Sequence, residues 1–175
     1  MDGERRSATV SWHRPQEAAA LTSALDGLSY VRKVRDRELP AEPLMEALGF
    51  RVIEVQEGRV VLGGQPEELH LNLGGVVHGG YLSTMIDCAT SYALHTMLAA
   101  GRTAPPVSAS YSFLRVGLEG VALRCEALVG RSGSRIGHVR AEVTDMDGRV
   151  LATGETTHVQ VSTDDDRRMQ PGPSA

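Results

Sequence analysis

Residues 71–87 read LNLGGVVHGGYLSTMID. Four glycines and a histidine run directly into a segment of helical character that carries Asp87. Glycines at 79 and 80 let another group approach the backbone with no Cβ in the way. The first amides of a helix have no partner inside it, so they point at whatever lies beyond the helix end. That geometry suits a developing oxyanion, as in acyl transfer. The plainer alternative is a tight turn and close packing of helix on sheet.

The helical segment extends the pattern. Leu82, Met85, Ile86, Ala89, Ala93 and Met97 recur at helical spacing, which predicts a helix from Gly79 to about Ala100. Gly101 and the Pro105-Pro106 pair stop it. Asp87 has Ser83, Thr84, Thr90 and Ser91 as its helical neighbours. One reading of this stripe is a solvated face. Against it, residues 81–100 contain no Lys, Arg or Glu, and Asp87 is their only carboxylate. The helix therefore looks enclosed, and an enclosed lone acid requires a reason.

The flanking sequence completes an α+β layout. Residues 15–39 have a helical pattern with Gly27 as a break, closed by Pro40 and Pro43. FRVIEVQEG and RVVLGGQP form a predicted hairpin about Glu57-Gly58. After the helix, VSASYSFLRV, VALRCEALVGR, IGHVRAEVTDM and RVLATGETTHVQV are four predicted strands, with Asp147-Gly148 as a hairpin turn. One antiparallel sheet wrapping one long helix is the economical packing. Residues 1–43 form an N-terminal helical extension, 44–162 the main domain, and 163–175 a polar tail that reads as disordered.

Composition excludes several classes. The chain has 175 residues, 41% hydrophobic, with a net charge of −4. It carries no apolar run of membrane-spanning length and no secretory signal pattern, so a cytoplasmic location is expected, away from membranes. Cys88 and Cys125 are unpaired by spacing and read as free thiols. The acidic balance argues against nucleic-acid binding. The histidines, at 13, 70, 78, 95, 138 and 158, lack metal-site spacing, so neither metal nor cofactor is expected. GRSGS (130–134) fails as a nucleophile elbow because Ser134 stands where glycine is required.

Spacing also bears on assembly. Gly80 and Asp87 lie about 10 Å apart along a helix axis. One helix cannot present both groups to one reacting carbonyl, but an antiparallel copy across a two-fold axis can. If the pattern is catalytic, the chain acts as at least a homodimer.

The residues resemble a known family. Asn72, His78-Gly79-Gly80 six residues on, and Asp87 nine after the histidine match the pattern of hotdog-fold acyl-CoA thioesterases, most closely the phenylacetate-pathway (PaaI-like) group. The similarity covers about residues 25–161, and LDGLSYVRKVRDRELPAEPLMEALGFRV resembles the helical lead of many such proteins. It implies the hotdog fold, a curved antiparallel sheet around a central helix, in dimers or dimers of dimers with interfacial sites. It further implies that the Gly80 N–H polarises the thioester carbonyl and that Asp87 of the partner subunit acts as base or nucleophile. Asn72, His78 and Ser108 assist, and Gly79 and Tyr81 contact substrate. The substrate would be an acyl-CoA or an acyl-carrier-protein thioester. Two departures are Leu73-Gly74 after the asparagine, where Pro-Leu is common, and Tyr81 in place of a small aliphatic residue. Residues 115–140 hold five arginines against two glutamates. Arg131 and Arg135 are the candidates for phosphate contacts, and a charged, protected strand edge is the alternative. A non-catalytic acyl-CoA-binding module on the same scaffold is the competing function.

Overall fold

The computed structural model describes residues 4–15 and 24–163. Their order is α1 (Gly27–Arg35), α2 (Pro43–Ala47), β1 (Arg51–Gln56), β2 (Arg59–Gly64), a short 3-10 turn (Glu68–His70) and α3 (Gly79–His95). Then follow β3 (Arg102–Thr103), β4 (Pro106–Phe113), β5 (Leu123–Ser132), β6 (Ile136–Asp145), β7 (Val150–Val159) and β8 (Val161–Ser162). Six strands form one antiparallel sheet in the order β1-β2-β5-β6-β7-β4, and β3 pairs with β8 separately. The chain is α+β with one long helix against a large antiparallel sheet, the hotdog arrangement. No helix among the described residues is long and apolar enough to cross a membrane.

Alternation explains the sheet. In β6, Gly137, Val139, Ala141 and Val143 are buried while His138, Arg140 and Glu142 are exposed, so one face packs on α3 and the other meets solvent. Leu123, Cys125 and Ala127 of β5 extend that core. Both predicted turns form. At the second, Asp145 Oδ1 accepts from the N–H groups of Asp147 and Arg149, each at 2.9 Å. Close approach of helix to sheet depends on Gly154, where a Cβ would lie 2.8 Å from Ile86 Cγ2.

The helix boundaries differ from expectation. α3 ends at His95 because Thr96 takes over: its hydroxyl donates to the Ala93 carbonyl at 2.6 Å and accepts from Gly58 N–H at 2.8 Å. This pins the helix end to the β1–β2 turn. α1 ends at Arg35 because Arg37 adopts φ 61°, a left-handed conformation. Pro43 opens α2 rather than closing a helix, in keeping with a missing N–H at the first turn. The expected helix over 16–23 and the tail 164–175 lie outside the described residues.

Gly27 is the first residue of α1. Asp26 caps it, its Oδ1 accepting from Ser29 N–H at 2.9 Å. A Cβ on Gly27 would lie 1.6 Å from the His95 carbonyl oxygen, and the Gly27 N–H donates to Leu98 O at 2.9 Å. The contact is backbone on backbone and cannot be relieved by a rotamer change. Gly27→Ala should therefore cost at least about 3 kcal/mol by overpacking, lowering the melting temperature by about 6–12 °C. Gly49, with open space around it but φ +70°, should cost only about 1 kcal/mol as alanine. Thermal unfolding of both variants checks the difference.

Candidate active site

The loop before α3 is a built turn. Asn72 Oδ1 accepts from Gly74 N–H at 2.8 Å, its own N–H donates to Val76 O, and its carbonyl accepts from Gly75 N–H. The Asn72 carbonyl oxygen thus shapes the loop, while its NH₂ has no partner among the described residues. His78 is fixed by donation of its N–H to His70 O at 2.8 Å. It is also the N-cap of α3, and its Nδ1 accepts from Gly80 N–H at 2.8 Å.

That cap alters the expected role of Gly80. Its amide is already engaged by the imidazole, and the Tyr81 N–H bonds back to the His78 carbonyl at 3.0 Å. The Gly79 N–H is the amide of this first turn with no partner among the described residues. A Cβ at position 79 would meet the Phe113 ring at 3.2 Å, so glycine there keeps the helix end close to β4. Because Nδ1 accepts, the neutral His78 ring carries its proton on Nε2.

Three hydroxyls of the stripe turn back onto their own helix, with Ser83 and Thr84 partly exposed. Thr84 donates to Gly80 O at 2.7 Å, Ser83 to the same oxygen at 3.2 Å, and Thr90 to Asp87 O at 3.0 Å. These are bonds back to the helix's own carbonyls.

Asp87 is half-buried, and no hydrogen bond or ion pair to its carboxylate occurs among the described residues. Lost solvation raises its pKa above the usual aspartate value, partly opposed by His158. His158, on β7, is fully buried. Its Nδ1 lies 2.9 Å from Ala104 O and its Nε2 2.8 Å from Thr156 Oγ1. A carbonyl can only accept, so Nδ1 carries the proton and Nε2 accepts from the threonine. Burial lowers the His158 pKa, with the Ala104 contact and Asp87 opposing. Tyr111 of β4 also feels the Asp87 charge. Neither His158 nor Tyr111 was anticipated from sequence. The available signal was that strand positions 156 and 158 share one face with 154.

Strand alternation removes Ser108 from this group. Ser108 pairs with Thr157, which pairs with His138, and His138 is exposed on the face away from α3. Ala109, Tyr111 and Phe113 occupy the α3 face instead, opposite Thr156, Gly154 and Ala152. A shift in pairing between Pro106 and Ser108 sets this register. Arg131 lies in the same outward row, opposite His138, and Arg135 is exposed in the β5–β6 turn. Tyr81 is buried in the core, its ring 4.8 Å from Phe50 and 4.7 Å from His70 between centroids. Six residues place it about 120° around the helix from Asp87. Among the described residues, no group of three or more His, Cys, Asp or Glu side chains is placed to hold a metal ion.

Comparison with known proteins agrees with this architecture. Residues 74–152 match the family described as the Thioesterase superfamily. An Escherichia coli relative, acyl-coenzyme A thioesterase PaaI, is 29% identical over 107 residues, 61% of this chain and 74% of that one. A relative in Archaeoglobus fulgidus, provisionally described as an esterase, is 26% identical over 134 residues, 77% of this chain and 85% of its own. The solved structure of the E. coli PaaI protein from the phenylacetic acid degradation operon superposes with a TM-score of 0.69 at 25% identity, covering 77% of this chain and 96% of that one. The chain is thus similar to hotdog-fold thioesterases, over residues 74–152 in the superfamily model and over a longer stretch in the PaaI-like relatives.

The raised pKa of Asp87 has a stability consequence. In the unfolded chain an aspartate titrates near 3.9; in the fold the ionised form is disfavoured. The penalty is full above the folded-state pKa and vanishes below the unfolded one, where both states are protonated. Asp87→Asn should therefore melt higher than the parent at pH 7, and the gain should disappear as pH falls below about 4. Melting curves across that pH range check the sign.

Proposed function

We propose that this chain hydrolyses acyl-CoA thioesters to the free acid and CoA at a site shared by two chains. The carrying observation is Asp87: an unpaired carboxylate, half-buried, two turns from an open helix N-terminus. A thioester is already activated and its thiolate leaves readily, so a positioned carboxylate suffices as base.

In this reading the Gly79 N–H of one chain donates a hydrogen bond to the thioester carbonyl oxygen. Asp87 of the other chain takes a proton from water as that water attacks the carbonyl carbon. Charge developing on the carbonyl oxygen is held by the Gly79 amide and the helix end. The C–S bond then breaks, and the proton that Asp87 took from water passes to the departing sulfur, which restores the carboxylate. His78, whose Nε2–H is free while Nδ1 caps Gly80, supports the reacting group by a hydrogen bond and keeps its proton. The free NH₂ of Asn72 supports the attacking water or the carbonyl. Gly80 serves indirectly, by orienting the imidazole. Arg131 and Arg135, both exposed, are the candidates for the CoA phosphates. The pairing of chains is supported by β4, an edge strand that presents Val107 and Phe113 at 61% and 54% exposure. A second copy joined there about a two-fold axis sets the two α3 helices antiparallel.

Three variants test the chemistry. Asp87→Asn should fold and lose about 10²–10⁴ in kcat, the range of general-base contributions. Proline is tolerated at the first helical position, so Gly79→Pro removes the amide hydrogen and should lose about 10²–10³; Gly79→Ala, which sets the same Cβ against Phe113 but keeps the N–H, is its control and should lose much less. Co-refolding equal amounts of Gly79→Pro and Asp87→Asn chains should restore about a quarter of parental activity, since half the dimers are mixed and each has one intact site. Absence of restoration in a mixture shown to exchange chains would refute the shared site. Full activity of folded Asp87→Asn would refute the chemistry.

A further inference from the structure

We propose that His70 and Tyr81 are positioning residues of the candidate site, a buried pair that holds the His78–Gly79 turn so that the Gly79 N–H faces out of the helix end. The inference deepens the thioesterase reading above and rests on it.

A closed circuit of contacts runs through the two residues. The His78 N–H donates to the His70 carbonyl at 2.8 Å, and the Tyr81 N–H donates to the His78 carbonyl at 3.0 Å. The His70 and Tyr81 rings close the circuit, 4.7 Å apart between centroids. Both backbone polar groups of His78 are thus held by residues that pack on each other. Leu71 and Val77 form a single antiparallel bridge just beside them. With His78 fixed, its imidazole takes the Gly80 amide at 2.8 Å and leaves the Gly79 N–H as the donor without a partner among the described residues.

The circuit is anchored away from the helix as well. His70 Nδ1 accepts from the Glu67 N–H at 2.9 Å, which fixes the orientation of the ring. The Tyr81 ring packs edge-on against Phe50, 4.8 Å between centroids. At Gly64 of β2 a Cβ would lie 2.9 Å from the Tyr81 hydroxyl and 3.0 Å from the Phe50 ring. Glycine there makes room for the end of the tyrosine.

The pair does more than fill volume. His70 Nε2 and the Tyr81 hydroxyl are buried with no hydrogen-bond partner among the described residues. Unpaired buried polar atoms oppose folding, and apolar side chains of similar size would avoid that cost. An imidazole is the side chain that offers a ring to Tyr81 and an acceptor to the Glu67 N–H at once. Tyr81 lies in the core, about 120° around α3 from Asp87, so it acts through the turn and not on substrate. A donor held in place beforehand needs no reorientation when charge develops on the carbonyl oxygen.

The experiment measures kcat and KM with hexanoyl-CoA and phenylacetyl-CoA for His70→Leu and Tyr81→Leu, each made in the parent and in the Gly79→Pro chain. In the parent, each should lower kcat by about tenfold while KM moves by less than about twofold. In the Gly79→Pro chain, neither should lower kcat further by more than about twofold, since the hydrogen they aim is already gone. His70→Asn, whose Oδ1 stands in for Nδ1 opposite the Glu67 N–H, should keep kcat nearer the parent than His70→Leu does. Val60→Ala, a core truncation two residues from the Gly58 that meets Thr96, should lower the melting temperature and leave kcat unaltered. Losses that multiply in full with that of Gly79→Pro mark a general structural effect and overturn the role of the pair. Parental kcat in folded His70→Leu and Tyr81→Leu overturns it too. If neither variant folds, amide hydrogen exchange in the parent decides: the His78 and Tyr81 amides must be protected together, and a rapidly exchanging His78 amide breaks the circuit. If Gly79→Pro retains parental kcat, the donor assignment falls and the pair has nothing to position. If the parent hydrolyses no thioester at all, the enzymatic reading falls and takes this one with it.

Discussion

The fold is organised around a carboxylate kept partly out of water with no ion-pair partner among the described residues. Asp87 lies on a helix free of lysine, arginine and glutamate through the rest of its length, so nothing on its own element can neutralise it. Removing solvent from an ionised group opposes folding unless something offsets it. Here the offset is partial and comes from His158. The surrounding packing must therefore supply the stability that the acid removes. Full burial of Met85, Ile86, Ala89 and Ala93 on the same helix supplies it, at about 25 cal/mol per Å² of apolar surface.

Precise seating of α3 follows from that need. Three contacts fix the helix against rotation and sliding. The Thr96 hydroxyl ties its end to the β1–β2 turn, Gly154 lets Ile86 lie against the sheet, and Gly27 meets the His95 carbonyl. Each lies on a different side of the helix. Rotation by even one residue would carry Asp87 into the core or toward open solvent. Groups that never touch substrate thus hold the candidate base at its particular depth, a requirement for any site that works by position rather than by cofactor.

Much of this was legible in the sequence because it rests on local pattern. The helical recurrence of Leu82, Met85, Ile86 and Ala89 marked α3. The alternation in IGHVRAEVTDM marked β6, and Asp147-Gly148 marked its turn. The absence of other charges on residues 81–100 singled out Asp87. What escaped was set by register and by side-chain bonds to backbone. Nothing local tells whether Ser108 faces the helix or the outside, because an irregular pairing next to Pro106 inverts the alternation. The imidazole of His78 capturing the Gly80 amide likewise follows from a rotamer rather than from a motif. Gly27 looked like a breaker because glycine weakens helices; its actual function, a backbone-to-backbone approach, needs the partner helix to be visible.

With Gly79 rather than Gly80 as the candidate oxyanion donor, the proposed pairing of two chains acquires a definite geometry. Gly79 carries its free amide at the very tip of α3, beside the Phe113 ring of edge strand β4. The donor is therefore at the margin of the subunit, whereas Asp87 lies two turns inward and is screened from that donor by its own helix. On the proposed reading, the Gly79 amide and the Asp87 carboxylate of one chain lie too far apart along a single helix to meet the same carbonyl. Pairing at β4 would create the missing adjacency and simultaneously cover an apolar edge, so assembly and competence arise from the same contact. Since β4 also carries Tyr111 on the face toward Asp87, a change in how the edges meet would be felt at the base as well as at the donor. In such an arrangement the quaternary structure is part of the active-site geometry, and a monomer, however well folded, lacks one half of the chemistry.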